Sequence, residues 1–292
     1  MLSTWLEQPE ARDRVAEWSA ACGLDIERLG TTATFVEITD TAVTQPLVVA
    51  SALLGASALR ERAGLPEDTV ISGHSVGEIA ALAIAGVLTE TEAVQLAAVR
   101  GHAMSRACTL RPTGMIAVLG GREPDVLLSL EAAGLLPANR NGNGQIVAAG
   151  PREDLDALEQ NPPARARLRR LDVAGAFHTH YMQPAVDSVR MLTDRFAPRD
   201  PDLTLLSNAD GEVVTSGADA LDRVVSQITN PVRWDLCTRT MSELGIGSFV
   251  ELPPSGALVG IAKRELREVA RVGITSPEDL ADVIEEVPAL SA

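Results

Sequence analysis

Thr69 to Val87 reads TVISGHSVGEIAALAIAGV, and this stretch decides the fold. A short β-rich run, Thr69 to Ser72, meets Gly73-His74-Ser75-Val76-Gly77, and an apolar helix-forming run follows to about Val87. A Gly-x-Ser-x-Gly turn between a strand and a helix is the setting of a nucleophile elbow. The sharp turn strains the backbone at the serine. Side chains at the flanking glycines are expected to clash with the crossing strand and helix. A helix start also offers free N–H groups and a positive dipole end, which stabilise negative charge forming beside the serine. Ser75 is therefore the candidate nucleophile. The plain alternative is a tight turn closed by an N-capping serine. Glu78 is expected to stabilise the helix N-terminus rather than take part in chemistry.

Outward from this turn the chain alternates helix and strand. Residues 9–21 and 45–63 have helical apolar spacing, the second opened by Gln45-Pro46. Thr89 with Glu92 three residues on is a capping box and starts a helix reaching Cys108. From Met115 the order becomes β-α-β-β-α-β, with strands near 115–119, 137–141, 145–149 and 167–173 and helices at 125–133 and 153–159. The expected fold is α/β. A large α/β-hydrolase-like domain, residues 1–112 and 177–292, has a mostly parallel sheet under helices. A small ferredoxin-like domain, residues 113–176, is inserted into it. Helices are expected at 181–196, 218–228 and 234–244, with strands at 204–207 and 248–252.

Composition sets limits on function. Hydrophobic residues make up 46% but aromatics only 3%, so Ala, Val and Leu must fill the core. Cys22, Cys108 and Cys237 are odd in number and widely spaced, which suggests neither a disulfide framework nor a metal site. The net charge of −15 argues against nucleic acid and anionic membranes as partners, and an acidic partner would need a local basic patch. Lys263 is the only lysine. No signal peptide is evident, and Ile79 to Leu88, read as the longest apolar segment, is too short to span a bilayer. A cytoplasmic protein is expected.

Arg100 falls on the apolar stripe Ala93, Leu96, Ala97, Met104 of its helix. A buried guanidinium needs a partner, so something anionic should meet it: a structural carboxylate or a bound one. Its fork suits bidentate carboxylate recognition; snorkelling to solvent is the other possibility. His102 lies on the opposite face and is expected in solvent. The serine needs a base within hydrogen-bond reach. Of four histidines, His74 adjoins Ser75 and should point away. His178 sits in Gly175-Ala176-Phe177-His178, where the small domain rejoins the large one, with His180 as its local competitor.

Taken in order, Gly73-His74-Ser75-Val76-Gly77-Glu78, Arg100-Gly101, Asn139-x-Asn141 before Gly144-Gln145, Phe177-His178, Gln227 before Asn230-Pro231-Val232-Arg233-Trp234, and Pro253-Pro254-Ser255-Gly256 resemble the malonyl-CoA:acyl carrier protein transacylase family. The acyltransferase domains of fatty-acid and polyketide synthases are related to it. The resemblance implies ping-pong transfer of a malonyl group from malonyl-CoA to the phosphopantetheine thiol of acyl carrier protein, through an ester on Ser75 with His178 as base. It implies that Arg100 holds the malonyl carboxylate, that Val76 N–H donates to the oxyanion, and that the backbone carbonyl of Gln227 orients His178. It further implies that His74, Asn139, Asn141 and Phe177 line the pocket, Phe177 being the residue of malonyl-selective members. A monomer with no resident cofactor is implied; the substrates carry coenzyme A and phosphopantetheine.

The family pattern also has a short strand and a Gly-Gln-Gly turn ahead of the region matching Leu2 to Leu6, and this sequence contains neither. The natural start is therefore expected upstream of Met1, and a chain starting at Met1 is expected to be weakly active. Carrier docking could use Arg165, Arg167 and Arg169, which alternate and on a strand would share a face, with Arg170 beside them, or Arg106 and Arg111; the plain reading of the first set is a solvated strand face. The rival functions are a serine esterase or thioesterase and a weakly active remnant.

Overall fold

The computed structural model describes residues 1–287, so residues 288–292 at the end of the expected large domain lie outside it. In chain order the elements are α1 Pro9–Cys22, α2 Ile26–Thr31, α3 Phe35–Ile38, α4 Thr41–Ala63, β1 Val70–Ile71, α5 Gly77–Ile84, α6 Glu90–Cys108, β2 Thr113–Gly120, α7 Glu123–Ala132, β3 Leu136–Arg140, β4 Gln145–Pro151, α8 Arg152–Gln160, β5 Ala166–Arg170, α9 Gln183–Thr193, β6 Thr204–Leu206, β7 Val213–Val214, α10 Gly217–Ser226, α11 Trp234–Glu243, β8 Ser248–Glu251, α12 Ala257–Glu265, β9 Ala270–Gly273 and α13 Leu280–Glu286.

Local chemistry explains most boundaries. Pro9 opens α1, and Gly23 closes it with a left-handed backbone. The Thr89–Glu92 capping box starts α6 as its spacing predicts. Helix α4 begins upstream of the expected Gln45, because the Asp40 carboxylate accepts the Ala42 N–H. This helix is long and apolar enough to cross a membrane, unlike Ile79 to Leu88, but 56% of its apolar window is buried inside the protein. It packs closely on α6 at Gly101, where a Cβ would come within 2.7 Å of the Thr41 carbonyl oxygen.

Residues 113–170 form a four-stranded antiparallel sheet in the order β3-β4-β2-β5. On one face Ile116, Val118, Ile146 and Ala148 pack on Val126 and Leu130 of α7 and Leu155 and Leu158 of α8. On the other, Met115, Val147 and Ala149 pack with Ala138, Ala176 and Phe177. That second face holds the segment leading to His178.

The large region differs from expectation. Instead of one mostly parallel sheet it has two small ones: β1-β6-β7, with β6 parallel to β1 and antiparallel to β7, and a parallel β8-β9 pair. Among the described residues no strand joins β1 to β8, so the two sets stay separate. The helices α1, α4, α5, α6, α9 and α10 supply most of the large core. Glu251, at the end of β8, accepts the N–H groups of Gly256, Leu258 and Val259 and fixes the start of α12. Lys263 is exposed on α12.

Candidate active site

The turn between β1 and α5 places Ser75 in left-handed backbone, φ 54°. Gly73 makes this possible: a Cβ there would lie 2.1 Å from the Gly77 carbonyl carbon and oxygen. Gly77 behaves differently from expectation, since its Cβ position faces open space. Only the first glycine is sterically required. The N–H groups of Gly77 and Glu78 bond the carbonyls of His74 and Ser75. Among the described residues nothing accepts a hydrogen bond from Val76 N–H, which stands at the start of α5.

His178 arrives from the sheet face of β2–β5, also in left-handed backbone, φ 59°, and is buried. Its Nε2 lies 2.7 Å from Ser75 Oγ and its Nδ1 lies 2.8 Å from the Gln227 carbonyl oxygen. The carbonyl can only accept, so Nδ1 carries the proton and Nε2 is free to accept the serine hydroxyl. Burial, then the Arg100 cation, push the imidazole down to about 3, so it is neutral across ordinary pH. His180 is exposed and stacks against Tyr181 at 4.2 Å, and His102 is exposed on α6. Neither bonds to the serine hydroxyl, which meets His178 and Arg100.

Arg100 is 1% exposed. Of its two expected partners the structural carboxylate is not found: among the described residues none lies in salt-bridge range. Two amide oxygens hold it instead, Gln45 Oε1 at 2.6 Å from Nη1 and Gln227 Oε1 at 2.9 Å from Nη2. Nη2 also lies 3.5 Å from Ser75 Oγ, and Nε has no hydrogen-bond partner among the described residues. Burial lowers the guanidinium to about 10, so it keeps its charge at neutral pH. A buried, charged fork beside a reactive hydroxyl is built to meet an anion.

Sequence reasoning missed Asn208, which is fully buried after β6. Its Oδ1 accepts the Ser75 N–H at 2.8 Å and its Nδ2 donates to the Gly73 carbonyl at 2.7 Å, latching both arms of the turn. The only available signal was an amide just beyond a strand end, where α/β sheets place ligands. Gln45 was seen only as a helix-opening residue. Glu78 does more than neutralise a helix end: it is buried, accepts the Asn208 N–H at 2.8 Å, and accepts from Gln227 Nε2. Burial pushes its carboxyl up to about 7.

The remaining predicted residues are distributed around this centre. His74 Nε2 is 2.9 Å from Asn141 Oδ1, joining the small sheet's hairpin to the turn, and its ring meets the edge of Trp234 at 5.6 Å. Asn139 is buried at a register shift in β3, where the strand bridges to Val232. Phe177 is half-buried between the two cores. A cavity of about 510 Å³ bordered by Cys22, His102, Arg106 and Ser188 opens elsewhere, on the exposed face of α6. Among the described residues no group of three or more His, Cys, Asp or Glu is placed to hold a metal ion.

Of the proposed docking arginines, Arg167 and Arg169 are exposed on β5. Arg165 precedes the strand in left-handed backbone, and Arg170 is paired with Asp156 and Glu159. The four do not share one free face. Arg111 lies over the Tyr181 ring, 5.7 Å from its centre.

Comparison with known proteins adds independent findings. Residues 7–286 match the acyl transferase domain family model. The malonyl CoA-acyl carrier protein transacylase of Mycolicibacterium smegmatis is 56% identical over 96% of this chain and 98% of its own length. The protein of that name from Escherichia coli is 27% identical over 95% of this chain and 91% of its own. The crystal structure of the Mycobacterium tuberculosis protein, 55% identical, superposes with a TM-score of 0.93 over 97% of this chain and 94% of that one. The Coxiella burnetii transacylase structure, 28% identical, gives 0.89 over 98% and 93%.

Proposed function

The chain belongs to the acyl transferase domain family, and from that premise we propose that it moves a malonyl group from malonyl-CoA to the phosphopantetheine thiol of acyl carrier protein. The observation that carries this reading is a serine hydroxyl bonded to a neutral imidazole, with a buried, carboxylate-free guanidinium 3.5 Å away.

In the proposed cycle His178 Nε2 takes the Ser75 proton while Oγ attacks the thioester carbonyl. Negative charge on that carbonyl oxygen is stabilised by Val76 N–H and the start of α5. The C–S bond breaks, coenzyme A leaves with the proton from His178, and a malonyl-serine ester remains. The carrier thiol then gives its proton to His178 and attacks the ester; the C–Oγ bond breaks, the malonyl group stays on the carrier sulfur, and the proton passes from His178 back to Ser75 Oγ. Arg100 meets the free carboxylate, and the Gln227 carbonyl holds the imidazole in the needed tautomer. His74, Asn139, Asn141 and Phe177 shape the walls. The cycle needs no resident cofactor, because both substrates bring their own thiol. A serine hydrolase reading is disfavoured because a backbone carbonyl, not an acid, stands behind His178, and because it gives Arg100 no task.

The strand order β3-β4-β2-β5 supports reading residues 113–176 as an inserted ferredoxin-like domain; residues 1–112 and 177–292 we read as the large α/β domain, hydrolase-like in its strand–Ser75–helix turn rather than in its sheet. We read the protein as a cytoplasmic monomer that engages neither nucleic acid nor membrane; the net charge of −15 supports the exclusion of nucleic acid and anionic membranes. The carrier is expected to dock through the exposed cations Arg106, Arg111, Arg167 and Arg169. Intact-mass analysis after brief exposure to malonyl-CoA tests the proposal. It requires one malonyl adduct on the native chain, absent in Ser75→Ala and discharged by carrier thiol; an unmodified chain refutes it.

A further inference from the structure

We propose that Glu78 is a positioning residue that fixes which end of the Gln227 amide faces Arg100, and thereby sets the guanidinium to receive a carboxylate. This rests on the malonyl-transfer reading above.

Gln227 is the hub of the site. Its backbone carbonyl holds His178 at 2.8 Å and its side-chain oxygen holds Arg100 at 2.9 Å. A glutamine amide can be rotated end for end at little intrinsic cost, and the wrong orientation would press an NH2 against the guanidinium, donor against donor. The orientation here is dictated from behind. Gln227 Nε2 faces two acceptors, a Glu78 carboxylate oxygen and Asn208 Oδ1 at 3.1 Å. Asn208 cannot turn, because its own amide is spent on Gly73 O and Ser75 N–H, so its Oδ1 is a constant acceptor. Glu78 is the partner whose character can change. An ionised carboxylate can only accept, and with Asn208 Oδ1 it excludes the flipped amide. A protonated carboxyl or a glutamine in its place can donate, which removes its share of that exclusion and the charge-assisted hold on Nε2.

The carboxylate is buried and touches no substrate atom in the proposed cycle; it acts through Gln227. The charged or titratable groups that act on it are Arg100 from α6, Arg223 from α10 and Cys237 from α11, with the Ser207 hydroxyl beside it. Burial outweighs these cations and brings its titration to about pH 7, so the orientation lock is complete above neutrality and loosens below it.

The test is single-turnover acylation of Ser75 by malonyl-CoA and by acetyl-CoA across the neutral range, read as the ratio of the two rates. The ratio cancels effects common to both, including titration of the coenzyme phosphate. The wild-type ratio should rise by about tenfold as pH climbs through neutrality, the loss of one charge-assisted contact to the acyl carboxylate. Glu78→Gln should hold a low ratio at every pH, and Glu78→Asp should recover part of the rise. A malonyl adduct that forms with a pH-independent ratio in the wild type overturns the proposal without touching the transferase reading. So does a Glu78→Gln chain that keeps the wild-type ratio. The wild-type profile needs no variant to fold. If no malonyl adduct forms on the wild type, the transferase reading fails and this proposal falls with it.

Discussion

Replacing Arg100 with alanine should reverse the enzyme's substrate preference rather than simply weaken it. Two opposing effects follow from the geometry. With malonyl-CoA the variant leaves a carboxylate buried without its cation, a loss of about 3–5 kcal/mol or roughly 10²–10⁴ in kcat/KM. With acetyl-CoA no carboxylate is stranded. The same change removes the positive charge that helps hold His178 down to about 3, and the base becomes stronger as its proton affinity rises. Acetyl transfer should therefore hold or increase. Stability should fall, because Gln45 Oε1 and Gln227 Oε1 lose their donor, at about 1–3 kcal/mol for each acceptor left dry. The assay is kcat/KM for both thioesters with the same carrier protein, on preparations shown folded by circular dichroism. A parallel loss on both substrates, or retention of the malonyl preference, would refute the assignment of Arg100.

Three further outcomes are expected. Gly73→Ala should abolish Ser75 labelling and lower the melting temperature, since its methyl would fall 2.1 Å from backbone, while Gly77→Ala should keep both near wild type; equal damage at the two glycines would contradict the steric account. Asn208→Ala should slow malonyl and acetyl transfer alike, by tenfold or more as an order of magnitude, because the Ser75 N–H loses its buried acceptor; a substrate-selective effect would place Asn208 at the acyl group instead. Because the His178 pKa is lowered, the imidazole stays neutral as pH falls below 6.5, so sulfonyl fluoride labelling of Ser75 in the free enzyme should hold nearly constant from about pH 8 to about pH 5. A tenfold decline per pH unit below 6.5 would show an ordinary histidine.

The parts of the site that the sequence announced are those with local signatures. Ser75 sits in a pentapeptide whose turn can be inferred from its glycines, and Arg100 is conspicuous as a charge on an apolar stripe. His178 could be narrowed to a domain junction, but choosing it over His180 depended on the wider motif set. Asn208, Gln45 and the true task of Glu78 have no such signature, because each becomes meaningful only when β6, α4 and α5 meet around Gln227. The same limit explains the start of α4, set by Asp40, and the failure of β1 and β8 to share a sheet, which is a matter of what lies between them. The strands of the small sheet were legible as short runs set between turns and helices in the order β-α-β-β-α-β, although β2 and β4 are buried on both faces and show no alternation.

Ser75 and His178 both hold backbone angles that L-residues with side chains adopt reluctantly, at roughly 1–2 kcal/mol apiece. Relief of that strain and retention of the reacting group are thus opposed: glycine at position 75 would relax the turn and erase the hydroxyl together. Directed evolution for thermal endurance alone would drift toward such inert chains, so turnover has to be screened in every round.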